Sequence, residues 1–127
     1  MSKAISSMVH RQAVAADMDA TIAEVAEVLR LNDISALLVT ERNGAVVGII
    51  SARDLAHFHH EKRDPAQVHA WEVCSYKPVE VSPDASVSEV AKIMVTSGIH
   101  HVVVADKKGV VGIVSALDFV EQFIEHT

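Results

Sequence analysis

Gly48-Ile49-Ile50-Ser51-Ala52-Arg53-Asp54 and Gly112-Ile113-Val114-Ser115-Ala116-Leu117-Asp118 are two copies of one seven-residue pattern. Each reads as the end of a buried strand, a Ser at the turn, and a helix with an acid in its first turn. A strand that delivers the chain into a helix N-terminus makes a natural anion site, because unpaired N–H groups and the helix dipole meet there. A carboxylate beside it can accept a pair of sugar hydroxyls, as ribose is held in dinucleotide sites. The same Ser-x-x-Asp is also close to a capping box, and an acid in the first turn favours the macrodipole. Taken singly, either copy is most simply a capped helix. No His accompanies either Ser–Asp pair in the pattern, so no nucleophilic triad is implied.

Working outward, the flanking residues repeat too. Asp84-Ala85-Ser86-Val87-Ser88-Glu89-Val90-Ala91 copies Asp19-Ala20-Thr21-Ile22-Ala23-Glu24-Val25-Ala26 at an offset of 65. Thr21-x-x-Glu24 and Ser86-x-x-Glu89 have the capping-box form. Ile22, Val25, Ala26 and Leu29 then recur at helical spacing to about Leu31, and Ile93 and Met94 continue the second stripe to Ser97-Gly98. Residues 34–40 and 99–104 read as strands buried on both faces. Asn43-Gly44 and Lys108-Gly109 are hairpin signals, with returning strands at 45–50 and 110–114. Short lead strands are predicted at 13–16 and 78–81. Helices follow from Ser51 to about Lys62 and from Ser115 to about His126, the latter with Leu117, Val120, Phe123 and Ile124 apolar. The polar stretch 60–70, with Asp64-Pro65, is a break.

The expected fold is therefore α/β with mixed sheets: two tandem β-α-β-β-α repeats, residues 1–62 and 63–127. The strand–helix–strand step implies a right-handed parallel crossover, and the hairpin adds an antiparallel pair. One copy of this length is marginal alone, so the two are expected to share one domain with an internal pseudo-two-fold axis. Half of the 127 residues are hydrophobic but only 4% are aromatic, so the core must be aliphatic. A net charge of −6 argues against nucleic acid or an anionic membrane as partner. A single cysteine, Cys74, excludes an internal disulfide and a Cys-rich zinc site and fits a reducing compartment. Neither a signal peptide nor an apolar run of roughly 18 residues is visible, so the expected location is cytoplasmic.

A tandem repeat whose copies end Gly-apolar-apolar-Ser-x-x-Asp resembles the paired cystathionine-β-synthase (CBS) domain, the Bateman module. The resemblance covers nearly the whole chain. The second repeat is the closer copy, in Val79-Glu80-Val81-Ser82-Pro83-Asp84 and Ser97-Gly98-Ile99-His100-His101-Val102-Val103-Val104. The first departs more, with Met18 for Pro83 and Ser35-Ala36 for His100-His101. The resemblance implies a regulatory module, not an enzyme, that takes AMP, ADP, ATP or S-adenosylmethionine in clefts between the repeats and needs no other cofactor. It gives Asp54 and Asp118 the ribose hydroxyls and puts Ser51 and Ser115 near ribose or phosphate. Adenine falls near Val14 and Ala15, and near Pro78 and Val79. His100 and His101 occupy the place where a basic pair meets phosphate in the regulatory subunit of the AMP-activated kinase. The resemblance further implies a homodimer with aliphatic contacts and an effector protein as output, with energy sensing as the process.

Other groups have competing explanations. His100 and His101 point to opposite faces of their strand, so one of them lines a given cleft; each could equally be a hydrogen-bonded, half-buried His. Arg53 is the unconditional cation beside Asp54, or a solvated surface residue, and Lys77 is a weaker candidate. His57 with His60 or Glu61 lies at helical spacing for two metal ligands, with His69 in reserve; such a cluster is more simply a polar helix end, and no metal is expected. Trp71 and Tyr76 read as packing anchors. The rival functions are a ligand-free dimerisation piece, in which Ser-x-x-Asp only caps, and a His-rich metal protein.

Overall fold

The computed structural model describes residues 3–125; the expected helix end at His126 lies outside the described residues. The chain divides into two compact units, Val14–Pro78 and the remainder.

In Val14–Pro78, β1 (Ala15–Asp17), β2 (Ala36–Thr40), β3 (Val46–Ser51) and β4 (Ser75–Tyr76) form one sheet in that order. The β1–β2 pair is parallel and the others antiparallel. Helix α1 (Ile22–Asn32) makes the parallel crossover. It starts at Thr21, whose Oγ1 accepts from Glu24 N at 3.1 Å while Glu24 Oε1 accepts from Thr21 N at 2.9 Å. It ends at Asp33 in the left-handed region, with φ 50°. Ile22, Val25 and Leu29, one helical face, are buried on Leu37, Val39 and Ile50. The hairpin turns at Gly44, φ 89°, and β3 feeds α2 (Ala52–His60), which buries Phe58. A one-turn helix, α3 (Ala70–Val73), follows.

The second unit holds β5 (Glu80–Val81), α4 (Val87–Ser97), β6 (His101–Asp106), β7 (Gly109–Ser115) and α5 (Ala116–Glu125). Its sheet order is β5-β6-β7, parallel then antiparallel. Ser86 caps α4 by accepting from Glu89 N at 3.0 Å, and Gly98 ends it at φ 65°. Val102, Val103, Val104 and Val114 are fully buried. The alternation of two hairpin-plus-helix blocks is the mixed α/β architecture that the repeat implies.

The units are not cut at 62/63. The 3-10 turn Ile5–Met8 belongs to the core of the second unit, where Ile5 is 0% exposed, and Ile5 N donates to Ala85 O at 2.7 Å. Conversely Val68, Ala70 and Cys74 belong to the core of the first unit. The bridges Ala4–Ser86 and Thr21–His69 show the symmetry. His69 lies 65 positions after Ala4, as Ser86 does after Thr21. The lead segment of each repeat thus packs in the unit made by the body of the other. The reason is apolar: Ile5, Met8, Val68 and Ala70 cover the helix-facing core that a single repeat leaves open.

One further expectation is corrected. Trp71 and Tyr76 are not buried anchors, being 44% and 55% exposed; the Tyr76 hydroxyl instead donates to the Trp71 carbonyl. Residues 117, 120, 123 and 124 of α5, the apolar positions read from the sequence, are exposed.

Candidate functional site

The two Ser-x-x-Asp copies are folded alike, one in each unit. Ser51 is the N-cap of α2, extended at φ −108°. Its Oγ accepts from Asp54 N at 3.1 Å, and Asp54 Oδ2 accepts from Ser51 N at 2.8 Å and from Ser51 Oγ at 3.0 Å. In the other unit, Asp118 Oδ2 accepts from Ser115 N at 2.7 Å and from Ser115 Oγ at 3.2 Å. Both carboxylates are half-buried. Each is held at one oxygen by the cap, which fixes the orientation of the other, and a carboxylate has acceptor capacity on both. The cap thus occupies one oxygen of each carboxylate and leaves the acceptor capacity of the other, so capping does not exclude a ligand.

Strand register brings the other sequence-predicted residues to these ends. Beside Ser115, the directly opposed residue on β6 is His101, and Ala116 N donates to His100 O at 2.9 Å. His101 is half-buried and His100 exposed. Val79 O accepts from Val103 N at 2.9 Å, so the backbone that the resemblance sets near adenine lies along the same sheet. Pro78 falls in the other unit. Beside Ser51 the opposed residue is Ala36, and Ala52 N donates to Ser35 O at 2.8 Å. Val14 O accepts from Leu38 N at 2.9 Å and Ala15 opposes Leu38. Arg53 is exposed on the first turn of α2.

A shallow recess of about 300 Å³ opens beside Asp54, lined also by His57, Glu61, Arg63 and Glu72. Arg63 and Glu72 were not foreseen; His69-x-x-Glu72 has the spacing of a cap, which was the available signal. Glu72 Oε2 accepts from His69 N at 2.8 Å and Oε1 lies 3.4 Å from Arg63 Nη2. The His69 backbone N–H, followed by the His69 and Arg63 side chains, holds the Glu72 carboxyl below the usual range. Among the described residues no three His, Cys, Asp or Glu side chains converge as a metal would require. Burial pushes the Cys74 thiol up, away from the reactive thiolate, in keeping with its packing role.

The family model of the CBS domain matches the chain twice, over residues 5–61 and 70–125. The chain belongs to the CBS domain family. Its tandem CBS pair is 26% identical over 122 residues to an uncharacterized protein of Methanopyrus kandleri, covering 94% of this chain and 62% of that one. The chain thus spans less than two thirds of that relative's length, and 46% of that of a second, from Methanocaldococcus jannaschii. Among solved structures it is similar to the CBS domain protein PAE2072 of Pyrobaculum aerophilum, complexed with AMP. There the TM-score is 0.84 and the identity 26%, over 98% of this chain and all of that one. The CBS domain pair of protein MJ0100, in complex with 5'-methylthioadenosine and S-adenosyl-L-methionine, gives a TM-score of 0.85 at 25% identity. That match covers 95% of this chain and 99% of the other. No helix among the described residues is long and apolar enough to cross a membrane.

Proposed function

We propose that this CBS pair is a non-catalytic regulatory module that binds an adenosine-containing ligand of the AMP, ADP, ATP or S-adenosylmethionine kind and signals by a change of shape or assembly. Asp118 and Asp54 receive the ribose hydroxyls, with Ser115 and Ser51 beside them. Arg53 faces phosphate, as does whichever of His100 and His101 lines the cleft. The backbone at Val14 and Ala15, and at Pro78 and Val79, borders adenine. The reading further takes the chain to be cytoplasmic, to pair with itself, and to act on an effector protein rather than on nucleic acid or membrane. The observation that carries it is the carboxylate fixed at one oxygen by its own helix cap, present twice. It is supported by the AMP complex of one relative and the methylthioadenosine and S-adenosylmethionine complex of another. A ligand shifts such a module only by its differential affinity for the two shapes.

Calorimetry with AMP, ATP and S-adenosylmethionine tests this. At least one should bind below millimolar, and Asp118→Ala should weaken it roughly 10- to 100-fold, the worth of hydrogen bonds to a charged acceptor. If none binds, and Asp118→Ala moves only the melting temperature, the carboxylate is a cap alone. A second reading applies to the Asp54 copy. Ser35 and Ala36 stand there in place of His100 and His101, so that copy lacks the imidazole pair. On that reading, binding survives Asp54→Ala and is lost in Asp118→Ala.

A further inference from the structure

The recess beside Asp54 carries three charged groups that the contacts proposed above leave unused: Glu61, Arg63 and Glu72. Glu61 is the C-cap of α2. Lys62 follows in the left-handed region, φ 57°, the conformation that reverses a chain at a helix end. Arg63 folds back beside Glu61, with Nη1 3.9 Å from Glu61 Oε1. Glu72 comes from the first turn of α3. Its Oε2 is taken by His69, which leaves Oε1 at 3.4 Å from Arg63 Nη2. Phe58, 5% exposed, and Val73 supply the apolar wall. The second copy has no such set: the places of Phe58, Arg63 and Glu72 in its sequence hold Gln122, Thr127 and Ser7.

A guanidinium beside a carboxylate is a dipole. Its complement is a dipole of opposite sense, a carboxylate for Arg63 and an ammonium for Glu61, as one carbon of an α-amino acid carries them. Neither protein group is committed elsewhere. The Arg63–Glu61 pair is long and both side chains are about half exposed, so it contributes little to the fold and opens at little cost. Arg63 makes one long hydrogen bond, to Glu72, and among the described residues its other N–H groups have no acceptor. A planar guanidinium takes a carboxylate at two N–H groups at once. Glu72, pinned by His69, holds Arg63 over the recess. A volume of about 300 Å³ is at the small end for a ligand site. We propose that this recess binds an α-amino-acid group, with its carboxylate on Arg63, its ammonium on Glu61 and its side chain against Phe58 and Val73. Two sources carry that chemistry: a free amino acid, and an adenosine whose 5' position bears an amino-acid tail. Asp54 borders the same recess, so a nucleoside held there by its ribose can extend a tail into it. The nucleoside form rests on the ribose contact proposed above; the free form does not.

Calorimetry of the full chain with three probes tests the site: S-adenosyl-L-homocysteine, 5'-methylthioadenosine, and L-methionine alone. The first two share an uncharged thioether nucleoside, so the amino-acid group is their only charged difference. S-adenosylhomocysteine should bind at least roughly tenfold tighter than methylthioadenosine, as hydrogen bonds between charged groups require. Arg63→Gln and Glu61→Gln, both at exposed positions and checked for folding by circular dichroism, should each abolish that preference. A preference that survives Arg63→Gln overturns the site. Equal binding of the two nucleosides, with no binding of L-methionine up to roughly 10 mM, overturns the recess and leaves the ribose contact standing. L-methionine binding that Arg63→Gln removes sustains the site whether or not a nucleoside binds, and names the free amino acid as its source. If none of the three probes binds, the recess and the ribose contact both fall.

Discussion

A Cβ added at Gly48 would stand 2.6 Å from the Ser75 carbonyl oxygen and 2.8 Å from Cys74 Sγ; at Gly112 it would stand 2.5 Å from Val9 Cγ1. The glycine that opens each motif copy therefore reserves space for an arriving chain segment. The two obstacles differ. A backbone oxygen and a buried sulfur cannot move aside, whereas the Val9 side chain can turn. Gly48→Ala should cost about 2–3 kcal/mol and Gly112→Ala about 1 kcal/mol, as read from urea unfolding; equal costs would mean that Val9 is as fixed as the Ser75 backbone. The pattern of these glycines was legible in the sequence, but their cause was not, because neither Cys74 nor Val9 lies near its glycine in the chain. The Ser-x-x-Asp groups were legible for a different reason. Their geometry is local, three residues along one helix turn, so the spacing alone placed Asp54 and Asp118 on their caps.

Elements with several turns of periodic pattern were readable, and those without it were not. α1 and α4 announced themselves by capping residues and a stripe of apolar positions. α3 has four residues and β4 two, too few for any period to show, and both exist because the segment is held against the first unit's core. α5 was readable as a helix but not in its outward direction, since a stripe says which residues share a face and not what covers it. The caps also make stability depend on pH. The Thr21 backbone N–H, then the Thr21 hydroxyl, holds the Glu24 carboxyl below the usual range, and the His69 backbone N–H leads in doing the same for Glu72. A carboxyl lowered in the folded state stabilises the protein above the ordinary Glu value of about 4.3 and ceases to do so as pH falls through the lowered value. Glu24→Gln and Glu72→Gln should each melt below wild type at neutral pH, and the gap should close on acidification below about pH 4.3. A gap unchanged there would show that the charge contributes nothing.

At the scale of the molecule, the repeat in the sequence and the unit in the structure are different divisions of one chain. The repeat boundary runs near 62/63, yet the first unit is Val14–Pro78. Its core needs Val68, 4% exposed, Ala70, 0% exposed, and Cys74, all beyond that boundary. Ile5 and Met8, within the first repeat, are buried in the other unit instead. A pattern search finds repeats because it compares residues at a fixed offset; it cannot see that equivalent lead segments have been exchanged, since an exchange leaves every offset unchanged. Packing can see it. A chain of 60–65 residues is marginal, so a few core side chains decide whether it folds. A fragment of residues 14–78 keeps every buried member of the first core, whereas a fragment of residues 1–62 loses three and carries Ile5 and Met8 with no core to enter. The 14–78 fragment should melt cooperatively by circular dichroism and calorimetry, and the 1–62 fragment should show a broad transition or none. Equal cooperativity would mean that the exchanged segments are accessory, and that each repeat closes its own core.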